Sequence, residues 1–140
     1  MGTGMHIAGF TFTVSELDGF RFIETVFPSV FDRRRLWAAA SSYPTLWDEN
    51  LPTVTLNDVE HMGELDAEAS KVLKWVLQQN QIRARLVATS WVTGGNAHAR
   101  EQILVILQEV GRPTDTVFDS RDDALEFLRE RIREWRELSQ

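Results

Sequence analysis

Arg85-Leu86-Val87-Ala88-Thr89-Ser90-Trp91-Val92 reads as a strand that runs directly into a turn, Thr93-Gly94-Gly95-Asn96. Leu86, Val87 and Ala88 are contiguous, and Trp91 and Val92 follow. A near-continuous apolar run is what a strand covered on both faces requires, as in a parallel sheet or at a sheet centre. Beyond the turn, Ile103, Leu104, Leu107 and Val110 recur at helical spacing. Gly111 is placed to end that helix in the left-handed conformation, and Pro113 prevents its resumption.

The same alternation extends in both directions. Upstream, Phe10, Phe12 and Val14 alternate with Thr11, Thr13 and Ser15, which is strand periodicity. Asp18-Gly19 marks a hairpin turn, since glycine tolerates positive φ, and residues 20–27 form the return strand, closed by Pro28. Asp32 is a good N-cap for a helix over residues 33–42 whose apolar side carries Leu36, Trp37 and Ala40. Residues 43–52 read as a loop. Residues 53–58 form a third strand with Val54 and Leu56 on one face. Asp66 caps a second helix with Ala69, Val72, Leu73, Val76 and Leu77 on its apolar stripe. Downstream, residues 114–118 read as a short last strand. Ser120 and Asp123 form a capping pattern for a final helix with Ala124, Leu125, Leu128, Ile132 and Trp135 facing inward.

The expected fold is therefore a single α/β domain, a mixed, mostly parallel sheet opened by a β-hairpin, in the order β-β-α-β-α-β-α-β-α. Residues 1–9, with Gly2 and Gly4, read as a flexible leader and residues 10–138 as the domain. The composition agrees: 43% of the 140 residues are apolar and 26% charged, a globular balance rather than a disordered one. The absence of cysteine excludes disulfides, thiolate zinc sites, iron–sulfur clusters and a cysteine nucleophile. It fits a reducing compartment, and with no apolar run near the ~20 residues of a membrane span, the expectation is a cytoplasmic protein without membrane insertion. A net charge of −6 opposes general nucleic-acid binding. The one basic cluster, Arg33-Arg34-Arg35, reads as the solvated first turn of a helix.

At this point a family resemblance enters. An opening hairpin followed by α-β-α-β-α-β-α is similar to the STAS domain of bacterial anti-sigma-factor antagonists. Thr116-Val117-Phe118-Asp119-Ser120-Arg121-Asp122-Asp123-Ala124-Leu125-Glu126-Phe127-Leu128 resembles the close of SpoIIAA-like proteins. The resemblance implies a STAS-like fold and regulation through protein partners. In the antagonist branch, a serine or threonine at the helix start after the third strand is phosphorylated. Here that stretch is His61-Met62-Gly63-Glu64-Leu65-Asp66-Ala67-Glu68, which has no hydroxyl, so the phosphorylation switch is not carried over.

Two sets of residues are candidate sites. Glu64 and Asp66 place negative charge at the helix start, where a phosphate would sit, although acids favour any helix start. Trp75 lies off its helix's apolar stripe and so marks a partner or dimer surface. The second set is Trp91, Thr93, Gly94, Gly95 and Asn96, a strand-to-helix turn resembling an anion or nucleotide cradle. It lacks the Walker lysine and a third spaced glycine. His6, His61 and His98 show no metal-ligand spacing, and no nucleophile elbow is present. No cofactor is expected. The functional expectation is a non-catalytic regulatory or protein-interaction domain. A small-ligand module, for a nucleotide, an anion or a lipid, with a pocket near the carboxyl ends of the central strands is the alternative.

Overall fold

The computed structural model describes residues 2–48, 50–81 and 85–139, with only the backbone of Gln81. Asp18 (φ 49°) and Gly19 (φ 86°) close the hairpin between β2 (Phe10–Leu17) and β3 (Phe20–Val26), pairing Leu17 with Phe20. From β3 the sheet grows in parallel, first to β4 (Thr53–Asp58), then β5 (Leu86–Val92), then β6 (Val117–Phe118). The six strands lie in sequence order, with β1 (Thr3–Ile7) on the outside of β2.

This order determines where the helices go. Each parallel crossover steps one strand in the same direction, and right-handed crossovers then place every connecting helix on the same face. Accordingly α1 (Arg33–Ser42), α2 (Ala67–Gln81) and α3 (Ala97–Glu109) share one core with Phe10, Phe12, Ile23, Phe27 and Trp91. The last helix, α4 (Arg121–Leu138), follows the last strand and covers the opposite face. There Ala124, Leu125, Leu128 and Ile132 pack on Leu17, Phe20, Phe22, Val54, Leu56 and Val92. Trp135 meets the edge of Phe20 at 5.3 Å.

The caps are formed as the sequence indicates. Asp32, Asp66 and Ser120 accept from the backbone N–H groups of Arg35, Ala69 and Asp123 at 2.9, 2.7 and 3.1 Å. Gly111 has φ 71°, and α3 ends with Gly111 N–H on Gln108 O (3.2 Å) and Arg112 N–H on Leu107 O (2.9 Å). That double closure is the Schellman arrangement.

Five expectations are corrected. Residues 1–9 are not simply a leader. Thr3–Ile7 forms β1, antiparallel to β2, with Met5 and Ile7 packed against the core; Met1 lies outside the described residues. Its turn was hidden because Ala8, at φ 53°, stands with Gly9 where glycine or asparagine is usual. Residues 43–46 form a 3-10 helix within the expected loop, burying Tyr43 and Leu46. Trp37 is 51% exposed, while the α1 stripe is carried by Leu36 and Ala39. The last strand is two residues rather than five, because Pro113 and Thr116 form a turn, Thr116 Oγ1 donating to Pro113 O at 3.1 Å. In consequence Leu86, Val87 and Ala88 are only half-buried, for β6 pairs with no residue of β5 before Trp91.

Candidate functional site

Trp37 and Trp75 come from different helices and meet at the surface. On α1, buried Leu36 fixes the rotation of the helix, and Trp37, one residue further, is turned about 100° away from the sheet. On α2, Leu73 and Leu77 are buried and Trp75 lies midway between them on the outer side, 46% exposed. The two indole rings lie 5.1 Å apart at 37°, so each holds its neighbour in place. Beside them Arg33, Arg34, Trp37 and Val72 enclose a surface hollow of about 360 Å³. Glu68 sits between Arg33 (3.9 Å) and Lys71 (3.8 Å) in exposed ion pairs. The patch thus joins a paired aromatic surface to a rim with more cations than anions.

Trp75 was singled out in the sequence; Trp37 was not. A signal for it existed, because the residues three and four positions before it are Arg34 and Arg33, and the one four positions after is Ser41. That row on the helix is polar, so a tryptophan within it faces water.

Glu64 and Asp66 are exposed, but the fold does not bring them to Trp75. Trp75 lies nine positions beyond Asp66, roughly 13 Å along the axis. The Asp66 carboxylate is engaged as the cap on Ala69 N–H. The preceding turn is fastened to α3 and to the loop before α1. Leu65 N–H donates to Gln102 Oε1 (2.8 Å), Gln102 Nε2 to Gly63 O (3.0 Å), and Gly63 N–H to Ser29 O (2.9 Å).

The second set lies together in sequence but not as an open cradle. Trp91 is 1% exposed and packs beside Phe27 in the three-helix core. Thr93 is buried, its hydroxyl donating to Asp119 Oδ1 at 2.8 Å. Gly94 (φ 57°) is covered by Glu60, whose Cδ lies 2.5 Å from where a β-carbon would stand. Asn96 accepts from Ala99 N–H (3.1 Å) and donates to Glu60 O and Met62 O (2.8 and 3.1 Å). Glu60 and Asp119 bring negative charge to this turn, and one N–H of the α3 start is already capped. The two carboxylates oppose an anion there by like charge, Asp119 less so because Arg100 lies 3.9 Å from it.

Among the described residues, no group of three or more His, Asp or Glu side chains is placed to hold a metal ion. Nor is any described helix long and apolar enough to cross a membrane. Comparison of the chain with family models, curated proteins and solved structures finds no match in any of the three.

Proposed function

We propose that the protein is a non-catalytic interaction domain that docks an apolar, acid-flanked segment of a partner protein on the Trp37–Trp75 face. The carrying observation is the paired, half-exposed tryptophans. Tryptophan is the residue type most concentrated in binding hot spots, and a pair already held ring against ring loses little freedom on binding. The rim selects the partner's charge. Arg33, Arg34 and Lys71 outnumber Glu68, on a chain whose net charge is −6. A two-fold dimer through this face would set that cationic rim against itself, so the rim favours a different, acidic partner. The resemblance to STAS domains supports the same reading, with recognition by a standing surface in place of a phosphorylation switch.

The test is selection of a displayed peptide library on the wild-type protein, with the Trp37→Ala/Trp75→Ala variant as counter-target. Peptides carrying an aromatic or aliphatic anchor next to Asp or Glu are expected to enrich. Their affinity should fall about thirtyfold or more in Trp75→Ala, the scale of a hot-spot truncation, and fall again in Arg33→Glu/Arg34→Glu. Selected peptides that bind the double tryptophan variant equally well, or that carry no acidic bias, would refute the proposal.

A further inference from the structure

A second feature lies on the other side of the molecule, where β6 stops short. Because β6 pairs only with Trp91 and Val92, the outer edge of β5 at Val87 and Thr89 is left to side chains. There the end of α3, the turn after it and α4 enclose a cavity of about 310 Å³. Its walls are apolar: Val87, Ala88, Leu107, Pro113 and Phe127, with Trp91 at its base. Two arginines enter this apolar space.

Arg112 is put there by the backbone. It is the residue after Gly111 in the Schellman closure, and its N–H on Leu107 O fixes where its side chain starts. Its guanidinium donates from Nη2 to Thr89 Oγ1 at 3.2 Å, while Nη1 is buried with no hydrogen-bond partner. Burial also lowers its pKa, the sign of a cation removed from water. Arg131 arrives from α4, stacked over Phe127 at 5.0 Å and held by Glu134 at 2.9 Å. Its Nε is likewise buried without a partner. A buried N–H on a charged group is costly when unpaired, and two of them on one cavity call for an explanation.

We infer that this cavity binds a small organic monocarboxylate with a compact apolar body. The Arg112 and Arg131 guanidinium groups would each donate to one carboxylate oxygen, and the apolar walls would hold the remainder. The class follows from three features. Two guanidinium groups on one apolar cavity match the two oxygens of a carboxylate. Asp115 on the lining and Glu134, bound to Arg131, offset the two positive charges and so disfavour a dianion such as phosphate. The volume lies at the small end of ligand pockets, suited to about ten non-hydrogen atoms. Both arginines were passed over in the sequence, because their convergence depends on the shortness of β6 and the closure at Gly111.

The probes are benzoate, phenylacetate and hexanoate, with inorganic phosphate and benzyl alcohol as comparisons. Binding is read by backbone amide shifts in two-dimensional NMR on the full chain. Expected is saturable binding of at least one carboxylate, with a Kd of about 1 mM or tighter, as for a well-placed fragment. The shifts should centre on Val87, Thr89, Arg112 and Phe127. Phosphate and benzyl alcohol should each bind at least about tenfold more weakly, since each lacks one half of the match. Arg112→Gln and Arg131→Gln should each weaken the carboxylate about tenfold or more. Arg133→Gln, which removes an exposed charge from the same helix (Arg133 pairs with Glu126 at 3.5 Å), should leave the affinity unchanged. Arg131→Gln keeps the test open should Arg112→Gln fail to fold. The inference is overturned if no carboxylate binds, if the shifts map elsewhere, if phosphate or benzyl alcohol binds equally well, or if Arg133→Gln weakens binding as much as Arg131→Gln.

Discussion

Replacing Thr55 and Thr89 by valine, singly and together, tests the polar layer inside the three-helix face. Thr55 is 3% and Thr89 7% exposed, and the Thr55 hydroxyl donates to Thr89 Oγ1 at 2.9 Å. Thr89 Oγ1 also accepts from Arg112 Nη2. The two positions are therefore unequal. Thr55→Val removes one donor and leaves Thr89 still paired with Arg112, so it should cost about 0.5–1.5 kcal/mol, the net value of one hydrogen bond. Thr89→Val leaves two groups without their acceptor, the Thr55 hydroxyl and Arg112 Nη2. At about 1–3 kcal/mol for each orphan, and less for Arg112 because it borders a cavity that water can enter, the loss should be about 2–4 kcal/mol. In the double variant the Thr55 orphan is gone, so the loss should be at least about 1 kcal/mol smaller than the sum of the singles. Urea unfolding followed by tryptophan fluorescence measures all four proteins, with equal m values as the check that the unfolded states are comparable. If Thr55→Val proves the costlier single change, or if the two losses simply add, the hydrogen-bond chain is not organised as described.

Ala8→Gly should stabilise the protein by about 0.5–1 kcal/mol, because the strain of alanine at positive φ exceeds the entropy glycine adds to the unfolded chain. Slower amide exchange at residues 3–7 is the readout, and no change would mean that the β1–β2 turn is not closed as observed. Ile132→Ala, at a fully buried position on α4, should cost about 2–5 kcal/mol, while Leu138→Ala, 86% exposed, should stay within about 0.5 kcal/mol; equal effects in thermal unfolding would place the end of α4 wrongly. The cap at Asp32 has its pKa held below 3.8, first by the Arg35 N–H hydrogen bond. Its contribution is therefore present above the unfolded-state pKa and is lost as pH falls through the lower folded value. Asp32→Ala should be less stable than wild type at neutral pH and converge with it in acid. Asp32→Asn, which keeps the acceptor, should show a smaller difference there. A pH-independent gap for Asp32→Ala would contradict the assignment.

Much of the fold was legible because the signals are local. Asp18-Gly19, Asp32, Asp66, Gly111 and Ser120 each act within four residues, and each stands where the sequence placed it. The face of β4 was legible too, since Val54 and Leu56 both reach α4. Features that depend on distant neighbours were not. Trp37 was assigned to an apolar side it does not share, because Leu36 and Ala39 set the rotation of α1. The extent of β6 depends on a turn at residues 113–116, so a run of strand-forming residues overstated it. Trp91 looked like the lip of a site, yet Phe27 and the helices above it place it in the core. The pairing of Trp37 with Trp75, and of Arg112 with Arg131, joins residues 38 and 19 positions apart, and no short window contains either pair.

The two faces of the sheet explain why the strands differ in pattern. β2 is apolar toward three helices and carries Thr11, Thr13 and Ser15 on the opposite face, where α4 meets this strand at Leu17. β4 reverses this. Val54 and Leu56 lie under α4, while Thr53, Thr55 and Asn57 turn toward the helices, where threonine and asparagine are a costly choice unless paired. Asn57 borders a second, smaller cavity of about 50 Å³, lined also by Thr25, Phe12, Tyr43 and Asn80. From Thr55 the polar chain passes to Thr89 and then to Arg112 at the edge of the sheet. A group that pulls on the Arg112 guanidinium therefore acts on the hydrogen bond at the middle of the sheet through one intermediate hydroxyl. α1 and α2 pack in the core on the same face of the sheet and present Trp37 and Trp75 on their outer sides. The proposed carboxylate pocket and the proposed partner surface thus border one core, a route by which one could influence the other. Whether it is sufficient depends on Thr89 having two arrangements of unequal stability, and the valine cycle repeated with and without saturating benzoate separates the two cases. A coupling energy that changes with the ligand requires Thr89 to be the link. An unchanged one means that the ligand does not act through this hydrogen bond.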